Sequence, residues 1–488
     1  MEAPLSRGPQ PLHAGKDPEW VSKTDVIRYS RCPYTFWLID QGELKLEETL
    51  PPQVLELIEV GERFHSAVER QAEPLEITPE AVPTLFDQDM SLYGVPTMYN
   101  PALRLYGRPD GIRTAGGALF PIEIKSHAAI QRSDLLELAF YWLLLEPFRT
   151  VHNVEPTGYL VFRQDDEPAE YDFPIAERHI AEVQRLIAKV RFARKEGVKP
   201  RICNCRVCSH LRREEVEAAV ARRKDVSLLF NVGPCYSEVL DELGINTYEQ
   251  LVAADRFEVA DAMRERKYYA ANAVEIDRWK AHAQSWMTGE PVCIGEADWP
   301  FGDSFMALDL EYASHIWCIG VIVVSDGVAQ SYQRLWADSD EEEAESLRAL
   351  GHLLAQHGDL PVLTWAGDGA DIPALAKACY RHELFGLWDE ICIRHYDLFD
   401  FVRRYVRLPI VGLSLGHVAD YFGVSGTSPI QDGWEALSVY GQYLREEGTD
   451  VKRRLRDDLI AYNRDDVEAL GEVAVRIRGI VESWNAAA

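Results

Sequence analysis

The chain has 488 residues, room for about three domains at ~150 residues each, and its 47% hydrophobic and 10% aromatic content excludes a disordered chain. A net charge of −28 excludes a uniformly basic nucleic-acid binder but leaves room for local phosphate-binding patches. No apolar run reaches the ~18 residues of a membrane helix, and Met1 to Trp20 lacks the apolar core of a signal peptide, so residues 1–18 read as a flexible tail on a cytoplasmic protein.

In chain order, Leu55 to Ala72 has helical periodicity and carries Gly61, His65 and Glu69. Leu103 to Arg113 and Ala118 to Ser126 are strand-like and joined through Gly116-Gly117, the pattern of a hairpin. An apolar helix over Asp134 to Glu146 follows. Two short strands come next, Tyr159 to Arg163 and Tyr171 to Pro174. Then comes an amphipathic helix, Glu177 to Lys195, ended by Gly197 and Pro200. Arg185 to Arg213 holds ten Lys or Arg and one acid, Glu196, whereas Asp338 to Glu345 is acidic at six of eight positions. A mostly helical segment spans Val226 to Met287. Strands over Phe305 to Leu310 and Trp317 to Val324 then open an α/β alternation that includes a helix from Leu459 to Val475.

Two acidic constellations carry the chemistry. In the first, Asp110 follows Pro109 near the end of one hairpin strand, and Glu123 and Lys125 lie two apart on the next, hence on one face. Two carboxylates suit a hard divalent ion, and a lysine can orient water and offset charge on a phosphate. His65 can add a nitrogen ligand. The set resembles the RecB-type PD-(D/E)xK nucleases, which have a Gly-x-x-x-His helix, an Asp after Pro, a Glu-x-Lys and a Gln-x-x-x-Tyr helix. Here Gly61/His65, Asp110, Glu123-x-Lys125 and Tyr141 fall in that order, with Glu137 at the Gln position. The resemblance implies a restriction-endonuclease-like core with His65, Asp110 and Glu123 as metal ligands and Lys125 and Tyr141 as further catalytic groups.

Cys203, Cys205 and Cys208 form C-x-C-x-x-C after the basic helix, and Cys32 lies in Arg31-Cys32-Pro33. Four thiolates suit a [4Fe–4S] cluster or a tetrahedral zinc, and spacing does not decide between them. Iron–sulfur members of the RecB-type family place one Cys before the nuclease core and three after it. By that resemblance the four hold a structural [4Fe–4S] cluster, with zinc as the alternative. The other five cysteines read as small core residues.

The run Asn231-Val232-Gly233-Pro234 before a helix resembles a helix–hairpin–helix turn, whose backbone N–H groups face a DNA phosphate; an ordinary helical linker is the alternative. In the second constellation, Asp309 and Glu311 share one strand face, Asp371 lies downstream, and Tyr462 and Asp466 are four apart on a helix. Four carboxylates can hold two metal ions, and a tyrosine hydroxyl can orient water. This pattern resembles the DnaQ-type exonucleases of the RNase H-like fold, in the subgroup whose last motif is Tyr-x-x-x-Asp; Asp465 fits that spacing less well than Asp466.

The expected architecture is α/β and multi-domain: a PD-(D/E)xK nuclease domain at 19–222, a helical helix–hairpin–helix-like domain at 223–292 and an RNase H-like DEDDy 3′–5′ exonuclease domain at 293–488. The expected activity is Mg²⁺- or Mn²⁺-dependent hydrolysis of single-stranded or end-containing DNA in repair or recombination. The expected partners are DNA and a helicase or other repair protein, since no Gly-x-x-x-x-Gly-Lys-Ser/Thr loop is present. Alternatives are an RNA exonuclease and a non-catalytic repair adaptor built on degenerate nuclease folds.

Overall fold

The computed structural model describes residues 17–44, 90–116, 118–125, 130–149, 154–164, 167–197, 199–205, 208 and 213–487; the expected helix at 55–72, with Gly61 and His65, lies outside them. The chain divides into two compact units, Met1–Ile202 and Cys203–Ala488.

In the first unit the run read as one strand from Leu103 to Arg113 is two strands in different sheets. Strand β4 (Leu105–Gly107) joins a three-stranded sheet between β1 (Val21–Ser22) and β3 (Met98–Asn100), while Gly111–Ala115 joins a five-stranded sheet. Pro109 explains the break: it has no N–H for a ladder and a fixed φ, so pairing stops before Asp110. The five-stranded sheet runs β2 (Met90–Tyr93), β5 (Gly111–Ala115), β6 (Ala118–Lys125), β7 (Thr157–Gln164), β8 (Glu167–Pro174). The β5–β6 pair is the expected antiparallel hairpin, and β6 and β7 are parallel. A parallel pair needs a crossover, supplied by helix Arg132–Leu144, whose Leu136 to Leu144 are all buried. Strand β6 is buried at every position except Lys125, as a central strand covered on both faces should be. Its charged end therefore carries Glu123 and Lys125 on a rigid support. The amphipathic helix Glu177–Glu196 ends at Gly197, whose φ of 61° is the left-handed cap that glycine adopts without strain.

The second unit opens with helices. Pro234–Glu242, Tyr248–Ala253, Arg256–Glu265 and Ala273–Thr288 close around a hydrophobic cluster that includes Leu229, Val239, Tyr248, Met263 and Trp279. After the short strand β9 (Val292–Cys293), a mixed sheet runs in the order β12 (Val328–Ala329), β11 (Ile316–Ser325), β10 (Phe305–Tyr312), β14 (Val362–Thr364), β15 (His395–Asp397), with β13 (Gln333–Trp336) also paired to β11. Strands β10 and β11 are antiparallel, whereas β10–β14 and β14–β15 are parallel. Alternate residues of β10 enter opposite cores: Phe305 and Ala307 pack with Val467, Leu470 and Val473, while Met306, Leu308 and Leu310 pack with Leu347, Leu350 and Leu375. With both faces covered, the strand reads as a continuous apolar run broken only by Asp309 and Glu311. The helix expected at 459–475 is longer, Thr449–Ala487, because it packs across β10 and β11 well beyond the acidic motif.

Candidate functional sites

In the first unit, Asp110 stands in the bend before β5, and its Oδ2 accepts a hydrogen bond from the Ile124 N–H at 2.8 Å. That bond pins Asp110 to the strand bearing Glu123 and Lys125. Glu123 has no exposed surface, and the Lys125 ammonium lies 3.0 Å from it and 2.8 Å from Glu137. A second ammonium, Lys23, lies 3.3 Å from Glu123 and 2.9 Å from Glu137. Burial opposes the charge on each lysine, but Glu123 and Glu137 outweigh it and both lysine pKa values rise. The Asp110 carboxyl is raised, chiefly by burial, against the pull of Lys23. Three carboxylates thus share two ammonium groups.

Tyr141 is buried, and its hydroxyl donates to the Arg108 carbonyl at 2.7 Å. Burial, then Glu123 and Asp110, raises its pKa well above the usual phenol. The structure places it as a brace of the Arg108–Asp110 turn, with Lys23 over its ring at 5.3 Å. Lys23 was missed from sequence. Ser22 and Asp25 form a capping box, which starts helix Lys23–Arg31 and fixes Lys23 in its first turn. That box is legible, but nothing in it marks Lys23 as a partner of residues a hundred positions away. Glu137, at the Gln position, pairs with both lysines.

In the second unit, ligand atoms of Asp309, Glu311 and Asp466 lie within 4.8 Å of one another. Two come from β10 and one from helix Thr449–Ala487. Burial, then mutual repulsion, lifts Asp309 and Glu311 well above the usual carboxylate range. Asp466 is pushed up to about 6, mainly by burial, against a hydrogen bond from Tyr462 that favours its charged form. Asp371 is the first residue of helix Asp371–Arg381 and stands outside that triad, but its charge acts on Asp309 and Glu311. Burial, then Asp397 and Asp466, pushes Asp371 up to about 7. The Tyr462 phenol is raised by burial and by Asp466, so it stays protonated and able to donate.

Two residues here escaped the sequence reading. Asn463, with no exposed surface, donates from Nδ2 to Asp309 Oδ2 at 2.8 Å. Asp397 accepts from the N–H groups of Ala366 at 2.9 Å and Asp368 at 3.2 Å, holding the turn that leads to Asp371. Asp465 serves elsewhere: it accepts from the N–H groups of Thr427 and Ser428, each at 2.6 Å. The four-residue spacing from Tyr462 favours Asp466, and the two acids leave the helix on different faces.

A cluster of buried carboxylates whose neutral side-chain donors, among the described residues, are Asn463 and Tyr462 is costly unless protonated or bridged by a cation. The all-oxygen donor set fits a hard divalent ion.

Cys203, Cys205 and Cys208 open the second unit with their sulfurs within 4.8 Å of one another, and the Cys208 N–H points to the Cys205 sulfur at 3.5 Å. Cys32 belongs to the first unit, where it caps helix Pro33–Asp40 and its sulfur accepts from the Thr35 N–H at 3.3 Å and hydroxyl at 3.2 Å. Asn231 has a φ of 63°, a left-handed conformation that Asn tolerates better than most residues, and Gly233 is the N-cap of helix Pro234–Glu242. No helix among the described residues is long and apolar enough to cross a membrane.

No curated protein matches the chain. One solved structure, titled "Crystal structure of SSO0001", is similar at 19% identity over 36% of this chain and 77% of that chain, with a TM-score of 0.22. Residues 307–478 match the model of the RNase_H superfamily, an interval that holds Asp309, Glu311, Asp371, Tyr462 and Asp466. The C-terminal part of the chain is an RNase H-like domain.

Proposed function

We propose that the protein is a DNA nuclease with two metal-dependent sites, a 3′–5′ DEDDy exonuclease in the second unit and a RecB-type PD-(D/E)xK nuclease in the first. The observation that carries this reading is the triad of Asp309, Glu311 and Asp466, inside an RNase H-like domain. Asp309, Glu311 and Asp466, with Asp371 beside them, would hold Mg²⁺ or Mn²⁺. A bound divalent ion supplies the positive charge that favours deprotonation of an attacking water and offsets charge on the phosphate. Tyr462, a neutral donor beside Asp466, orients that water. In the first unit, Asp110 and Glu123 would hold the ion, with His65 as a further ligand, while Lys125 would orient the attacking water and offset charge on the phosphate. The pinning of Asp110 to the Glu123 strand supports this assignment.

Cys32, Cys203, Cys205 and Cys208 are assigned to a structural [4Fe–4S] cluster, with zinc the alternative for the same thiolates. The left-handed Asn231 supports a phosphate-gripping turn in the helical segment. Repair or recombination is the assigned setting, with a helicase or other repair protein as partner.

Single-stranded DNA labelled at the 5′ or the 3′ end tests the proposal. It is digested with Mn²⁺ by the intact protein, Lys125→Ala, Asp309→Ala and the double variant. Each single variant should lose a different activity and the double all of it. Cleavage by the double variant would sink both assignments. Cleavage of matched RNA alone would make the protein an RNA nuclease, and no cleavage of either polymer would favour the adaptor.

A further inference from the structure

Asn463 lies between Tyr462 and Asp466, adjacent to the first and three residues before the second. It is the only amide side chain at the triad among the described residues that hydrogen-bonds a triad carboxylate. Its Nδ2 is 2.8 Å from Asp309 Oδ2 and 3.4 Å from the Asp309 carbonyl. The Asp309 backbone carbonyl and a metal-bound carboxylate only accept, so the amide nitrogen faces Asp309 and the amide oxygen faces away. There Oδ1 accepts from the Tyr332 hydroxyl at 2.9 Å, which locks the amide against a flip. The backbone reserves the space: Gly320 is the cross-strand partner of Asp309, and a Cβ at Gly320 would fall 2.1 Å from Asn463 Oδ1 and 2.7 Å from Val467 Cγ2. A glycine in the interior of a strand is otherwise unfavourable, and here it marks a close approach.

We propose that Asn463, held by Tyr332 and seated over Gly320, is a positioning residue that fixes the Asp309 carboxylate with one oxygen occupied and the other presented for metal. This rests on the reading of Asp309, Glu311 and Asp466 as a divalent-metal centre. A fully buried amide with both ends satisfied and a strand glycine cut to fit it exceeds what packing alone requires. Groups that orient a ligand from behind typically change metal affinity about ten- to hundredfold when removed.

The test is Mn²⁺ binding to the full chain by titration calorimetry, with the component abolished by Asp309→Ala taken as the second-unit site. Asn463→Ala should weaken that component about ten- to hundredfold. Tyr332→Phe, which keeps the amide but frees it to flip, should weaken it by less, in the same direction. Thermal melting in EDTA reports the fold separately, and Tyr332→Phe keeps the proposal testable if Asn463→Ala does not fold. Unchanged Mn²⁺ affinity in both folded variants would overturn the positioning role while leaving the metal centre intact. If the intact protein shows no component that Asp309→Ala removes, the metal-centre reading itself falls, and this proposal with it.

Discussion

Replacing Asp466 with Asn should stabilise the metal-free protein at neutral pH. Its carboxyl is raised from the ordinary 3.8 to about 6 by burial among like charges. That displacement corresponds to about 3 kcal/mol of disfavoured charge at 1.36 kcal/mol per pH unit. Neighbouring carboxylates share the proton, so about 1–2 kcal/mol is assigned to Asp466 alone. Between pH ~4 and ~6 the folded chain keeps a proton that the unfolded chain has released, so the native protein loses stability as pH rises through this window. Asn carries no such slope and still accepts from the Tyr462 hydroxyl. Calorimetric melts in EDTA should therefore show the variant and the parent nearly equal at pH 4. Above pH 6 the variant should melt about 2–8 °C higher, at ~2–4 °C per kcal/mol for a unit of this size. With Mn²⁺ present the order should reverse, because binding stabilises the intact site by mass action. A variant that melts lower than the parent in EDTA at pH 7.5, or a difference that does not change with pH, would refute the repulsion argument.

Lys23→Ala leaves Glu123 and Glu137 with one ammonium between them and should destabilise the first unit by about 2–4 kcal/mol. Adding Glu137→Gln should recover a large part of that loss, and a double-mutant cycle by urea melting that shows simple additivity would contradict the shared-charge account. Metal analysis of anaerobically purified protein should find about four iron and matching sulfide per chain, lost in Cys205→Ser. One zinc and no iron would assign the thiolates to zinc instead.

Residue order and spacing determined much of this protein. The spacing Glu123-x-Lys125 and Asp309-x-Glu311 placed each pair on one strand face because a strand repeats every two residues, and Tyr462 and Asp466 shared a helix face because a helix repeats near every fourth. Those periodicities are local, so they survive without knowledge of the fold. Pro109 was legible as a residue, but its consequence was not: only the sheets show that pairing changes partner across it, since strand partners lie outside the local sequence. Burial was equally out of reach. The four-residue spacing from Tyr462 favours Asp466 over Asp465, but only the fold shows that Asp465 turns to the loop at 427–428 while Asp466 joins the triad. Lys23, Asn463 and Gly320 carry no motif in the chain; Lys23 meets Glu123 across a hundred residues and Asn463 meets Asp309 across more than a hundred. Charge compensation and close approach are properties of distance in space, and only the tertiary structure sets those distances.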